Sequence, residues 1–299
     1  MLHVSNADRR RGDPDAQGRQ TGSDSHLPDG AEWLTPMHVL ARLAGYDTRV
    51  LLGLPFDVLR SAAGCGTPVA VSDLLPGELV LVLGPGPDLD LLLAASRVGP
   101  AGRVFGVAWD EASLMRIRSN AGAAGYDNVE ILPGERAGLP VGDGAVDWLI
   151  GNRMIGFCPD GTRLFAEIHR VLKPGGRLYW ADIVAEGLPT WVRVGVSSAT
   201  SWLAAAPGES EYLAGLADAG LEDVRNRGRY VYTAEELGAV AESMGAAEDV
   251  APVAARLAAE VVGGVWRAYF SARKPLLRTQ DGQEDEQPDQ QEDDEEESR

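Results

Sequence analysis

The sequence predicts an α/β domain, doubly wound around a mostly parallel sheet, with a helical N-terminal extension and a late helical insertion. Three observations point there. First, Leu79-Val80-Leu81-Val82-Leu83 is short and continuously apolar, the pattern of a strand buried on both faces. Second, similar runs alternate with helical segments from Leu79 to Val184, the rhythm of a parallel sheet with helices on both sides. Third, breaker clusters stand at the joints: Gly84-Pro85-Gly86-Pro87-Asp88 after the first run and Lys173-Pro174-Gly175-Gly176 before the fifth, where Pro and Gly cannot continue a helix.

The elements follow in order. Leu34, Val39, Leu40, Leu43, Val50, Leu51 and Leu54 space an apolar face along a helical stretch from Glu32 to Leu59. Gly64-Cys65-Gly66-Thr67-Pro68 reads as a loop. Strands are predicted at Leu79–Leu83, Arg103–Ala108, Val129–Leu132, Val146–Ile150 and Arg177–Val184. Helices are predicted at Asp90–Arg97, Glu111–Ala124 and Thr162–Val171. Beyond Pro189 the rhythm breaks. Residues 190–206 read as a helical insertion, Glu209–Ala219 as a helix stopped by Gly220, and Leu221–Val224 and Tyr230–Tyr232 as two short strands. Ala234–Leu257 reads as an alanine-rich helix, and Val265–Arg273 as a last strand with alternating faces.

Composition narrows the function classes. Of a net charge of −18, residues 281–299 contribute −10 and residues 1–30 contribute −1, so the body between them carries about −7. Such a body has no electrostatic footprint for nucleic acid. The acidic tail is a self-repelling, solvated segment; its alternative role is to contact a basic protein partner. The expected organisation is a disordered segment over 1–30, a domain over 31–275 and a disordered acidic tail over 276–299. There is no run of about 18 apolar residues to span a membrane, and the polar, arginine-bearing start lacks a signal-peptide core. Two cysteines, Cys65 and Cys158, give no disulfide framework, which fits a reducing cytoplasm.

A strand running into a Gly-rich turn and then a helix lets a ligand approach backbone closely at a helix N-terminus. Gly84-x-Gly86 alone is a weak signal; order and spacing strengthen it. A second strand ends at Ala108, a Gly134-Glu135 turn follows the third, and Arg170-Val171-Leu172-Lys173-Pro174-Gly175-Gly176 leads into the fifth. Gly45-Tyr46-Asp47, the Gly64–Pro68 loop, Leu75-Pro76-Gly77-Glu78, Asp90, Val98-Gly99-Pro100, Ala124-Gly125-Tyr126, Asn128-Val129-Glu130, Leu139-Pro140, Asp147, Asn152 and Asp182-Ile183-Val184 complete the set. Over residues 42–240 it resembles the class I S-adenosylmethionine (SAM) methyltransferases, most of all their arsenite methyltransferase branch.

The resemblance implies a Rossmann-like fold, SAM as cofactor, and a small-molecule acceptor. It places Gly84, Gly86, Asp88, Ala108, Trp109, Glu135 and Asn152 at cofactor-contact positions, with Glu135 on the adenine side. Cys65, Arg153, His38 and Trp202 fall on the acceptor side. The chain departs from the pattern at telling points. The acid of the first strand is Val82, the third glycine is Asp88, and the ribose-binding acid at the end of the second strand is Ala108, with Asp110 two residues on. A carboxylate at Asp88 facing the methionine carboxylate would repel it. The arsenic-binding branch needs several soft thiolates. Here only Cys65 matches; Arg153 holds a second cysteine position, and Thr200, Ser201 or Trp202 the third.

Ordinary alternatives stand beside these readings. His169 reads as a packing or surface residue. Trp109, Trp180, Trp191 and Trp202 would line an apolar pocket or fill core. Arg153 would grip an anionic substrate bidentately or pair with Asp88 or Glu135. Two main functions stay open: methyl transfer from SAM to a small molecule, or a pseudo-methyltransferase that binds, scaffolds or hosts another reaction in the same cleft; a third, weaker reading is a metalloid or thiol-reactive sensor through Cys65 and Cys158.

Overall fold

The computed structural model describes residues 46, 54, 56–61, 64–155, 158, 160–190, 205–236, 261 and 263–276. Seven strands form one sheet: β1 (Leu79–Leu83), β2 (Arg103–Ala108), β3 (Val129–Pro133), β4 (Val146–Asn152), β5 (Leu172–Ala185), β6 (Glu222–Val231) and β7 (Val265–Arg273). Their order is β3-β2-β1-β4-β5-β7-β6. The first five pair in parallel, and β7 runs antiparallel between β5 and β6. The expected doubly wound, mostly parallel sheet is what forms.

The described helices are α1 (Phe56–Ser61), α2 (Pro68–Val71), α3 (Asp88–Val98), α4 (Glu111–Ala123), α5 (Gly161–Val171) and α6 (Glu209–Asp218). Alternate residues of β1 separate the two faces of the sheet, as a pleated strand requires. Val80 and Val82 pack with Leu91, Ala94 and Val98 of α3 and Leu114 and Ile117 of α4. Leu81 and Leu83 pack with Leu164, Phe165 and Ile168 of α5 and Leu216 of α6. Both clusters are buried, so the runs lack polar positions for a physical reason. Helix starts are marked by acids: the Asp110 carboxylate accepts from the Ser113 amide at 2.7 Å and Asp160 from the Arg163 amide at 2.9 Å, satisfying amides that have no partner within the helix.

Three details differ from the sequence reading. Lys173–Gly176 belongs to β5 itself, with an irregular register opposite Val146–Trp148. The segments Leu221–Val224 and Tyr230–Tyr232 are joined in one strand, β6, whose register shifts twice against β7. Its middle, Arg225-Asn226-Arg227-Gly228-Arg229, is polar because β6 is the sheet edge, where charge discourages pairing with other chains. The short α2 falls where only a loop was expected.

Most of the Glu32–Leu59 helix, most of the 190–206 insertion, most of the Ala234–Leu257 helix, the 1–30 head and nearly all of the 276–299 tail lie outside the described residues, as do His38, Trp191 and Trp202. Among the described residues no helix is long and apolar enough to cross a membrane.

Candidate functional site

Strand order reverses between β1 and β4, which are neighbours although β2 and β3 intervene in sequence. Ligands of open α/β sheets bind in the crevice outside the carboxyl ends of the strands at such a switch point. The crevice here is formed by Gly84 and Gly86 after β1, Ala108 at the end of β2, Asn152 at the end of β4, and the Cys65–Thr67 segment.

Gly84 is required by close packing. A Cβ there would lie 2.8 Å from the Asn152 carbonyl oxygen. The Asn152 side chain is buried and turned towards the N-terminal segment. Its Oδ1 accepts from the amides of Cys65 (2.8 Å) and Gly66 (3.2 Å), and its Nδ2 donates to the Gly66 carbonyl (2.9 Å) and to Asp90 Oδ2 (2.8 Å). Two donors and two lone pairs are an amide's whole capacity, so Asn152 holds the loop and has nothing left for a ligand in this arrangement. A Cβ at Gly64 would collide with Asn152 Nδ2 at 2.3 Å. Asp90 also accepts from the Tyr46 hydroxyl at 2.6 Å. Burial pushes the Asp90 carboxyl up to about 6, against the pull of these two hydrogen bonds.

Asp88 does not face the crevice. Its carboxylate is fully buried and turned to α4, where it accepts from Arg116 Nη1 at 2.5 Å and Asn120 Nδ2 at 2.7 Å. The expected repulsion of a methionine carboxylate therefore has no geometric basis, and neither does an Asp88–Arg153 pair. Arg116 and Asn120 stand four apart on one face of α4, a spacing that was the available sequence clue.

At the position expected to contact the ribose, Ala108 is buried and its carbonyl accepts from the Gly134 amide at 3.0 Å. Asp110 does not reach in as a substitute: both its oxygens are held at Ser113, by the amide at 2.7 Å and the hydroxyl at 3.0 Å. The Arg136 guanidinium lies over the Trp109 ring, 5.0 Å from its centroid, and the buried Trp109 Nε1 has no hydrogen-bond partner. Glu135 is on the surface, its side chain 80% exposed and 4.0 Å from Arg163, so it does not pair with Arg153 either. Among the described residues no carboxylate stands where Ala108 lies. The fit to the contacts the resemblance implies for SAM is thus partial among the described residues: Gly84 and Gly86 remain, the amide of Asn152 is spent on the Cys65–Gly66 loop, and no acid holds the place of Ala108.

Of the residues expected on the acceptor side, Cys65 and Arg153 are described, and they lie close enough to interact electrostatically. The buried Cys65 thiol is pushed well above the usual range, first by burial and then by Asp182, with Arg153 and Arg267 opposing. It stays protonated at neutral pH, whereas the thiolate is the ligand and nucleophile. Arg153 is buried at 9% exposure and adopts φ 58°, the left-handed region, a costly state for a side-chain residue. Its amide donates to the Ala181 carbonyl at 2.8 Å, and its charge interacts with Cys65, Asp182 and Tyr232. Asp182, near the carboxyl end of β5, holds the backbone there. It accepts from the amides of Met154 (2.9 Å), Ile155 (3.0 Å) and Ile183 (2.8 Å) and from Trp180 Nε1 (3.0 Å). Burial still pushes its carboxyl up. Arg267, missed in the sequence, donates to the Cys65 carbonyl at 3.5 Å, and the Tyr269 hydroxyl accepts from the Thr67 amide at 3.1 Å. Cys158, half-buried, sits apart beside Arg136 and Asp160.

Comparison with known proteins places this geometry. Residues 81–180 match a methyltransferase domain. An arsenite methyltransferase of Halobacterium salinarum is 38% identical over 162 residues, covering 54% of this chain and 41% of that protein; the chain thus spans less than half of that relative's length. The crystal structure of CrArsM, an arsenic(III) S-adenosylmethionine methyltransferase from Chlamydomonas reinhardtii, superposes with a TM-score of 0.60 at 25% identity, covering 77% of this chain and 74% of that one. The [4+2]-cyclase SpnF shares the fold at 20% identity and a TM-score of 0.52, over 81% of this chain and 97% of that one.

Proposed function

We propose that the chain, whose residues 81–180 match a methyltransferase domain, acts on a small molecule at the carboxyl ends of β4 and β5, beside the amino end of the antiparallel β7, and holds SAM only weakly. The observation that carries this is Ala108 in the position of the ribose-binding acid, with Asp110 committed as a helix cap. Hydrogen bonds to a charged group contribute about 1.5–3 kcal/mol each. Losing a pair to the sugar hydroxyls removes about 3–6 kcal/mol, a factor of roughly 10² to 10⁴ in affinity. The acceptor is not arsenite: the single matching thiol, Cys65, is buried and protonated, and a guanidinium holds the place of the second cysteine. Arg153 and Arg267 favour an acceptor with negative charge.

A second reading is supported by the saturated Asn152 amide, which ties the Cys65–Gly66 loop to the end of β4. The cleft would then serve binding or a different reaction, and fold alone does not decide chemistry; a cyclase shares this one. Incubation with methyl-tritiated SAM and a fractionated small-molecule extract separates the two. The first reading predicts labelled product whose rate climbs without saturation to millimolar SAM. Saturation at micromolar SAM contradicts the weak grip, and absence of product at every concentration selects the second reading.

A further inference from the structure

The opposite edge of the sheet, at the amino-terminal side of β4 and β5 and the carboxyl end of the antiparallel β7, carries a second concavity, remote from Asn152 and Ala108. Trp148 of β4, Arg177 of β5 and Arg273 of β7 stand side by side in register, so their side chains share one face of the sheet. Asp73, just beyond α2, and Arg227 of β6 close the sides around a cavity of about 470 Å³. That is the size range of small-molecule sites, about 300–1,000 Å³.

The lining is rich in donors and poor in acceptors. Arg177 stacks over the Trp148 ring, 5.3 Å from its centroid, and makes no ion pair among the described residues. Arg227 donates from Nε to the Ser271 hydroxyl at 2.7 Å and likewise makes no ion pair there. Arg273 meets Glu222 at 2.7 Å and Asp223 at 3.5 Å, yet its buried Nε has no hydrogen-bond partner. Trp148 is 4% exposed, and its Nε1 is a second buried donor without a partner. An unsatisfied buried donor is costly in a native fold, and each calls for an explanation. Two carboxylates, Asp73 and Asp223, line the cavity against three guanidiniums, and Asp223 is already shared between Arg225 and Arg273.

We propose that this cavity binds a small organic oxyanion, whose phosphate or carboxylate oxygens are held by Arg177 and Arg227 with the Trp148 ring as floor. The planar guanidinium fork matches such oxygens in pairs. The chain as a whole carries −18, so general electrostatics repel anions and binding must come from these local donors.

The test uses the full chain, with calorimetry and thermal unfolding in inorganic pyrophosphate and in citrate at matched ionic strength. The expected result is binding of at least one probe with Kd below about 1 mM, weakened at least about tenfold in the Arg177→Gln/Arg227→Gln double variant. Binding of pyrophosphate alone assigns a phosphate ligand, and of citrate alone a carboxylate ligand. Both arginines are exposed at the rim, so the double variant should melt with the wild type when no probe is present. If it does not fold, Arg177→Gln alone gives the same reading, because that side chain only stacks. Failure of both probes to bind, or equal binding by wild type and variants, overturns the proposal.

Discussion

Asp88→Gly restores the third glycine of the turn and removes a buried carboxylate in one step. The Asp88 side chain is fully buried, and its partner Arg116 is 33% exposed. Breaking a buried ion pair costs about 3–5 kcal/mol, and the exposure of Arg116 reduces that because water recovers part of its charge. Asn120, buried at 6%, loses the acceptor for its amide, about 1 kcal/mol more. The favourable placement of an acid in the first turn of α3 is also lost, about 0.5 kcal/mol. The expected total is about 3 kcal/mol, a fall in melting temperature of roughly 6–12 °C for a domain of this size. Urea unfolding of wild type, Asp88→Gly, Arg116→Met and the double variant measures it, and the two changes should be non-additive by more than about 1 kcal/mol. SAM affinity should stay as it is. A destabilisation under about 1 kcal/mol, or micromolar SAM binding by Asp88→Gly, would refute the reasoning that this carboxylate belongs to α4 and not to the crevice.

Ala108→Asp should raise SAM affinity by about 100-fold or more while lowering the melting temperature of the ligand-free protein, because the new carboxylate enters the apolar cluster of Val82, Leu91 and Ile131; calorimetry with no gain in affinity contradicts the placement of the sugar. Asp90 titrates near 6 in the fold against an ordinary value of 3.8. A raised carboxyl contributes stability that is present below pH 4 and lost as pH rises through 6, about 3 kcal/mol in all. Asp90→Asn should therefore gain stability relative to wild type by about 2–3 kcal/mol between pH 4 and pH 7, read by urea unfolding at each pH. Asp182, also raised, leaves a slope of the same sign in both proteins. Asn152→Ala frees the Cys65–Gly66 loop, and alkylation of Cys65 should quicken at least about tenfold while Cys158, already half-exposed, serves as the internal reference; an unchanged rate denies Asn152 its clamping role.

The parallel core was legible because its residues obey local rules. β1 is uniformly apolar since both of its faces are covered, and α4 starts where Asp110 can cap it. β6 was harder to read, because Arg225–Arg229 lacks apolar alternation and is held as strand by pairing with β7, a partner more than 35 residues away in sequence. The absent acids at Val82 and Ala108 were visible as substitutions. The direction of Asp88 was not, since it depends on how α4 packs against α3. Asn152 was read as a cofactor contact because its position fits one; that its amide is spent on Cys65, Gly66 and Asp90 follows from tertiary contacts 62 to 87 residues distant. Arg267 gave no signal at all, being one more charge on an alternating strand.

Titration of the full-length protein with SAM and with S-adenosylhomocysteine, followed by calorimetry, bears most directly on whether the nucleoside end has lost its hold. Dissociation constants of about 1 mM or weaker for both ligands are predicted. A micromolar constant for either would mean that some other group grips the sugar, and that Ala108 does not mark a weakened site.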